Sequence, residues 1–312
     1  MVIGSLARAA VGAAMHWSGA GRAFEMATRP AGAIILVYHS VAADEAAPYI
    51  RPANRIHPGL FERQMAFLAA KRRVIALSEL VDEIAAGRSP PVGTVCITFD
   101  DGYRDNLTVA APILERYRLP ATVFLATGYL ERGEAQWSDT LHWLLAGRAV
   151  PAAVDAHLLE ASHDERARLL GAVEPAATGR RLMLNWDEAR ELQRRYPLVE
   201  IGGHTRDHID LRTHRGEAAR EQIEGCAEDL RRELGLQPRH FSYPYERWCA
   251  ETRQAVIDAG WTSAVGAHAP PRIGPGSDRY AMPRVEAPRT MTQLRFKTSG
   301  AYPGALALLG FA

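Results

Sequence analysis

The run Thr94-Val95-Cys96-Ile97-Thr98-Phe99, followed at once by Asp100-Asp101-Gly102, restricts this chain more than any other stretch. The apolar, β-branched run reads as a buried strand, and two adjacent carboxylates before a glycine end it abruptly. Folding alone does not ask for that ending. Successive side chains on a strand point to opposite faces, but where the backbone curls at a strand end, two consecutive Asp side chains can enter one pocket from different directions. One can then bind a metal while its neighbour takes a proton, a division that needs two acids in different surroundings. A solvated Asp-Asp-Gly turn is the plain alternative, since both residues are ordinary in turns.

A second short apolar strand, Val199-Glu200-Ile201-Gly202-Gly203, runs into His204-Thr205-Arg206-Asp207-His208. The two histidines stand four apart, which on a helical turn puts both imidazoles on one face within reach of one ion. A lone histidine is more often structural. Two at ligand spacing, in a chain that also has an Asp-Asp strand end, predict a metal site.

The remaining elements alternate. Ala33 to Val37 form a strand ending in Tyr38-His39, and His39 becomes a site candidate because reactive residues of parallel α/β barrels gather where strands end. A capping or packing histidine is the other reading. Residues 42 to 58 carry Pro48, Pro52 and Pro58 and predict a loop bordering a cleft. Leu60, Met65, Phe67 and Leu68, then Leu80, Val81 and Ile84, recur at helical spacing. A helix through Ile113 and Tyr117 leads to the strand Ala121–Leu125, and strand, helix, strand is a parallel unit.

Residues 128 to 185 break the rhythm with helical patterns only, predicting a helical insertion beside or over the mouth. In it, Trp137 and Trp143 offer flat apolar faces on which a sugar could stack, or serve as core anchors. A long charged helix from Arg215 to Leu234 follows, closed by Gly235. Next come a strand into Phe241-Ser242-Tyr243-Pro244-Tyr245, whose aromatic-Pro turn would wall the pocket, a helix from Glu251 to Ala259, and strands at Thr262–Gly266 and Ala281–Val285.

At 312 residues the chain is long enough for one barrel domain with an insertion, and its net charge of +1 makes no electrostatic case for nucleic acid or an anionic membrane. Cys96, Cys226 and Cys249 have no Cys-x-x-Cys spacing and read as free thiols, which favours a reducing compartment and a cytoplasmic location. Arg8, His16 and Arg22 interrupt the Ala- and Gly-rich N-terminus before it reaches transmembrane or signal-peptide length, leaving a short helical extension over residues 1 to 30.

Thr98-Phe99-Asp100-Asp101-Gly102 and His204-Thr205-Arg206-Asp207-His208 resemble the first two motifs of the polysaccharide deacetylases, the NodB-homology or carbohydrate esterase family 4 group, and Phe241 to Tyr245 resembles part of the third. The resemblance covers roughly residues 31 to 290 and implies a distorted (β/α) barrel of about seven parallel strands, with residues 291 to 312 as a tail. It implies that Asp101, His204 and His208 bind a divalent metal, with zinc expected, and that Asp100 is the base acting on a metal-held water. The substrate implied is an N-acetylated sugar of a poly- or oligosaccharide. The backbone N–H of Tyr245 would help hold the oxyanion, and Tyr243, Tyr245 and Trp137 would border the substrate.

Three departures qualify the pattern. A late Leu-x-His motif is not evident, which leaves His39 and His268 as candidate general acids. Ser242 replaces the arginine that orients the base, and Arg284 from another strand end is the candidate substitute, although an ordinary surface ion pair would also account for it. Glu246 stands where glycine is usual. The rival readings are an O-acetyl esterase or small-amide hydrolase on the same scaffold, a non-haem iron oxygenase using the same ligand types, and a non-catalytic sugar-binding relative.

Overall fold

The computed structural model describes residues 32–45, 47–145, 151–170, 181–267 and 272–299. Seven parallel strands form its wall: β1 (Ala33–Tyr38), β2 (Thr94–Phe99), β3 (Ala121–Leu125), β4 (Val199–Gly203), β5 (His240–Ser242), β6 (Ser263–Ala267) and β7 (Met282–Glu286). Each pairs with the next, and β7 returns to β1, so the sheet closes into the expected distorted α/β barrel of seven strands. The wall is uneven. On the edge of β2 away from β1, Arg73–Val74 pairs at Thr94 and Val95, and β3 takes over only at Thr98 and Phe99.

Side-chain alternation sorts the strands into two cores. Ile34 and Leu36 of β1, Val95, Ile97 and Phe99 of β2, Val199 of β4 and Phe241 of β5 pack outward against the helices. Ala33, Ile35, Cys96, Phe124, Val265 and Met282, drawn from five strands, meet in a second cluster with Leu77, Leu80, Val81 and Ile84 of the helix Leu77–Ala85. That second cluster fills the barrel interior, with the helix as its floor. Burying each such aliphatic side chain contributes about 1.5–3 kcal/mol. Where β4 passes β5, room runs out: a Cβ on Gly202 would lie 2.5 Å from the His240 carbonyl oxygen.

The same alternation decides what reaches the mouth. In step with Cys96 comes Asp100, with Ile35 comes His39, and with Met282 comes Arg284. Tyr243 falls in the outward register with Phe241 and joins the helix-side core.

Local signals placed the helices. Asn185 and Glu188 form a capping box on the helix Trp186–Arg195, and Gly235, at φ 66°, closes the helix Gly216–Leu234 in the left-handed conformation that glycine adopts without penalty. The span read as an insertion holds the helices Thr127–Arg132, Trp137–Leu144, Ala152–Glu160 and His163–Leu170 among its described residues. Part of the predicted tail is a helix, Met291–Lys297. The N-terminal extension over 1 to 30, His268 and the end of the tail lie outside the described residues. The three cysteines are free, and no helix among the described residues is long and apolar enough to cross a membrane.

Candidate active site

At the C-terminal mouth of the barrel, β2 ends in Asp100 and Asp101, both 3% exposed. Asp101 turns into the left-handed region at φ 76°, followed by Gly102 at φ 80°. This curl turns a second carboxylate into the mouth. A side chain at Gly102 would meet the Leu125 methyl at 2.8 Å, so the turn has no space for another residue there.

Beyond β4, the segment from His204 to His208 is an irregular loop and not the helical turn that the four-residue spacing suggested. Thr205 at φ 61° and His208 at φ 49° coil the chain so that both rings still come together, with centroids 4.7 Å apart. Left-handed backbone at non-glycine residues costs on the order of 1–3 kcal/mol each. Of the six such residues described, Asp101, Thr205, His208, Tyr245 and Glu246 all belong to this mouth. Strain concentrated in one place is characteristic of a site whose geometry the rest of the fold enforces.

The candidate ligand atoms converge. Asp101 Oδ1 lies 3.2 Å from His208 Nε2 and 3.6 Å from His204 Nε2, and one donor atom from each residue falls within 4.8 Å of the others. His204 Nδ1 donates to the Ser242 carbonyl at 2.7 Å, which leaves Nε2 as the lone-pair nitrogen. The Tyr245 hydroxyl accepts from Trp137 Nε1 at 2.7 Å and donates to the His208 carbonyl at 3.2 Å. Its remaining lone pair accepts His208 Nδ1–H at 2.8 Å, so His208 also presents a bare Nε2.

Burial pushes both imidazoles toward the neutral form, His208 well below the usual range. Burial, with the neighbouring Asp100 and Asp139, pushes the Asp101 carboxyl well up. Asp101 Oδ1 is buried without a hydrogen-bond partner. Two bare imidazole nitrogens and a buried carboxyl oxygen without a hydrogen-bond partner converge on one point, where a divalent cation would favour the ionised carboxylate and satisfy all three. The donor set fits a divalent ion.

Asp100 has different surroundings, as a division of labour requires. Arg284 Nη1 and Nη2 donate to its Oδ1 and Oδ2, each at 2.7 Å, and Ser242 Oγ donates to Oδ2 at 3.3 Å. Burial alone would raise this carboxyl, but Arg284 and then His204 outweigh it and hold Asp100 well below the usual carboxylate range. Arg284 is buried, not at the surface, and its Nε lies 3.4 Å from Glu246 Oε1. Ser242, at the position where arginine was expected, thus still touches Asp100 and orients His204 as well.

His39 closes the ring of predicted residues. Burial pushes it down to about 4, with Asp100 opposing and Arg284 and His204 adding to the fall. The folded chain therefore resists protonation that the unfolded chain accepts near pH 6.5, and stability present above that pH is lost as pH falls toward 4. The effect is on the order of 2–3 kcal/mol. A His39→Gln variant is expected to lose less stability than the parent between pH 6.5 and 4 in urea melts; equal losses would refute this assignment.

Two of the aromatic residues expected to meet substrate are placed differently. Tyr243 is fully buried, stacked on Trp248 and donating its hydroxyl to the Tyr280 carbonyl at 3.1 Å, because strand parity sends it outward. Trp137 is 5% exposed, its ring covered by the Arg166 guanidinium at 5.0 Å, so its part is to fix Tyr245. Tyr245 itself, at φ 57°, sits against His208 with ring centroids 4.4 Å apart. Asp139, not singled out from the sequence, accepts the Tyr103 hydroxyl at 2.7 Å and the Arg51 N–H at 3.1 Å, and burial pushes it up to about 6. A single acid inside a helical pattern carries no signal that sets it apart.

A family model described as polysaccharide deacetylase matches residues 87–264, more than half of the chain, and spans both the Asp-Asp and the His-x-x-x-His segments. This chain belongs to the polysaccharide deacetylase family. As a polysaccharide deacetylase relative it is 32% identical over 98 residues to YxkH of Bacillus subtilis (strain 168), assigned to the same family by name; the match covers 31% of this chain and 33% of YxkH. Among solved structures, the Streptococcus pyogenes deacetylase PplD, in complex with acetate, is similar with a TM-score of 0.62 at 18% identity, covering 86% of this chain and 99% of PplD. IcaB from Ammonifex degensii is similar with a TM-score of 0.59 at 20% identity, covering 88% of this chain and 97% of IcaB. At those identities the likeness speaks for the polysaccharide deacetylase fold, which the barrel described above shares.

Proposed function

We propose that this chain is a metal-dependent hydrolase that removes acetyl groups from N-acetylated sugars of a poly- or oligosaccharide. The observation that carries the reading is the pairing of two unlike carboxylates: Asp101, orphaned beside two bare imidazole nitrogens, and Asp100, locked by Arg284. Asp101, His204 and His208 would hold the ion, and two nitrogens with one oxygen favour zinc. When bound, the ion supplies Lewis acidity toward a water and the acetyl carbonyl.

The chain's own residues do the rest. Asp100, kept ionised by Arg284, takes the proton of the attacking water. The backbone N–H of Tyr245, which lies in a left-handed turn, would by the family resemblance stabilise the oxygen that becomes negative as the carbonyl is attacked. The departing nitrogen needs a proton, which Asp100 now holds, and His39, on the interior register of the neighbouring strand, is the group that relays it. The acetate bound by PplD is the acyl product such a reaction releases, which supports the choice of acetyl group.

The test is acetate release from a panel of N-acetylated oligosaccharides, O-acetylated sugars and small amides. Metal-loaded protein is expected to release acetate from the N-acetylated oligosaccharides, to lose activity on chelation, and to recover it with zinc. Activity that survives exhaustive chelation would sink the metal-dependent reading, and release from O-acetyl esters alone would replace the N-acetyl substrate.

A further inference from the structure

Arg166 lies in the helix His163–Leu170 of the insertion, is 2% exposed, and is absent from every motif of the chain. A buried guanidinium is tolerated only where its donors are satisfied. Its four hydrogen bonds among the described residues all end on main-chain carbonyls: Leu158 at 2.8 Å, Leu159 at 3.1 Å, Asp207 at 3.2 Å and His208 at 3.4 Å. The first two belong to the last turn of the helix Ala152–Glu160, where carbonyls lack helical partners and the helix end is partially negative. The other two belong to the loop that presents His208. The fork of Arg166 therefore ties the insertion to that loop.

His208 needs such a tie. Its backbone is left-handed at φ 49°, a conformation that a non-glycine residue leaves unless held. Its carbonyl is gripped from two sides, by the Tyr245 hydroxyl and by Arg166, and its Nδ1 by the same hydroxyl. Trp137, from the insertion, fixes that hydroxyl, and Arg166 covers the Trp137 ring. Insertion side chains thus set both the peptide plane and the ring of His208, which directs its Nε2 at Asp101.

We infer that Arg166 is a positioning residue for the metal ligand His208, and that the helical insertion is thereby a working part of the metal centre. The inference rests on the metal reading proposed above. Released from Arg166, the His208 peptide relaxes out of the left-handed region and its imidazole swings from the Asp101 and His204 donors, leaving a two-ligand site.

The experiment measures zinc affinity by competition with a chromophoric chelator in the parent, Arg166→Met, Arg166→Lys and His204→Ala, with circular dichroism and thermal melts to establish folding. Arg166→Met, which fills the space without donors, is expected to bind zinc about 10–100-fold more weakly while remaining folded, as loss of groups orienting a ligand does. Arg166→Lys is expected to recover only part of the affinity, because a point ammonium cannot reach four carbonyls. A folded Arg166→Met with parental zinc affinity overturns the inference, and if that variant does not fold, parental affinity in Arg166→Lys does so. Parent protein that binds no more zinc than His204→Ala sinks the metal reading itself, and this inference with it.

Discussion

Asp100→Asn is expected to lower acetate release by about 10²–10⁴-fold while zinc remains bound, the range that removal of a general base produces. The substitution keeps the volume and one acceptor oxygen but removes the proton-accepting function. Asp100 is not among the three clustered donors of Asp101, His204 and His208, although its Oδ2 lies 3.7 Å from His204 Nε2, so zinc is expected to stay bound while turnover falls. Some stability goes too, because one of the two Arg284 donors now faces an NH₂ group where Asp100 offered oxygen. The measurements are kcat, zinc content and a denaturation curve on the same preparation. A variant that turns over within a few-fold of the parent would remove Asp100 from the proposed chemistry. A variant that loses zinc would mean that the two carboxylates do not divide their work.

The barrel was legible because its strands carry unbroken apolar runs whose alternation has one consistent interior. Thr94–Phe99 and Ala33–Tyr38 fall where expected, and the last two strands, Ser263–Ala267 and Met282–Glu286, are displaced by a single residue. The convergence of Asp101, His204 and His208 was legible through their residue types and less through their backbone. His204 and His208 meet by way of left-handed residues that a helical reading of the spacing could not foresee. Tyr243 shows where short-range reasoning stops. An aromatic beside a proline turn suggests a pocket wall, yet one step of strand parity turns it into the core. Asp139, Arg166 and the contact that Trp137 makes with Tyr245 were opaque for a further reason. They act from the helical insertion through contacts far away in the chain, and helical periodicity distinguishes buried from exposed without naming the neighbour. Arg284 was accessible only by asking which arginine at another strand end could stand in for the one that Ser242 replaces.

Arg284→Met should be the most damaging single change to stability away from the ligand cluster, at a cost of about 3–5 kcal/mol, because removing one partner of a buried ion pair strands the other charge. The pair is bidentate, both groups are almost fully buried, and the guanidinium also reaches Glu246. Catalysis should change in a manner that simple unfolding would not produce. Without Arg284, burial is left to raise the Asp100 carboxyl, so the base is protonated up to a higher pH and activity returns only as pH increases. The acid limb of kcat/KM is therefore expected to move upward in Arg284→Met, measured where the variant remains folded. Stability should follow the same logic. A carboxyl held below its unfolded value contributes stability above pH 4 that disappears as pH falls, and the variant should lack that contribution. Arg284→Lys should fall between, since one ammonium cannot satisfy both oxygens. The double variant Asp100→Asn with Arg284→Met should be more stable than Arg284→Met alone, because no buried carboxylate is then left unpaired. A loss below about 1 kcal/mol with an unmoved acid limb would place Arg284 among ordinary ion pairs and leave the ionisation of Asp100 to some other group.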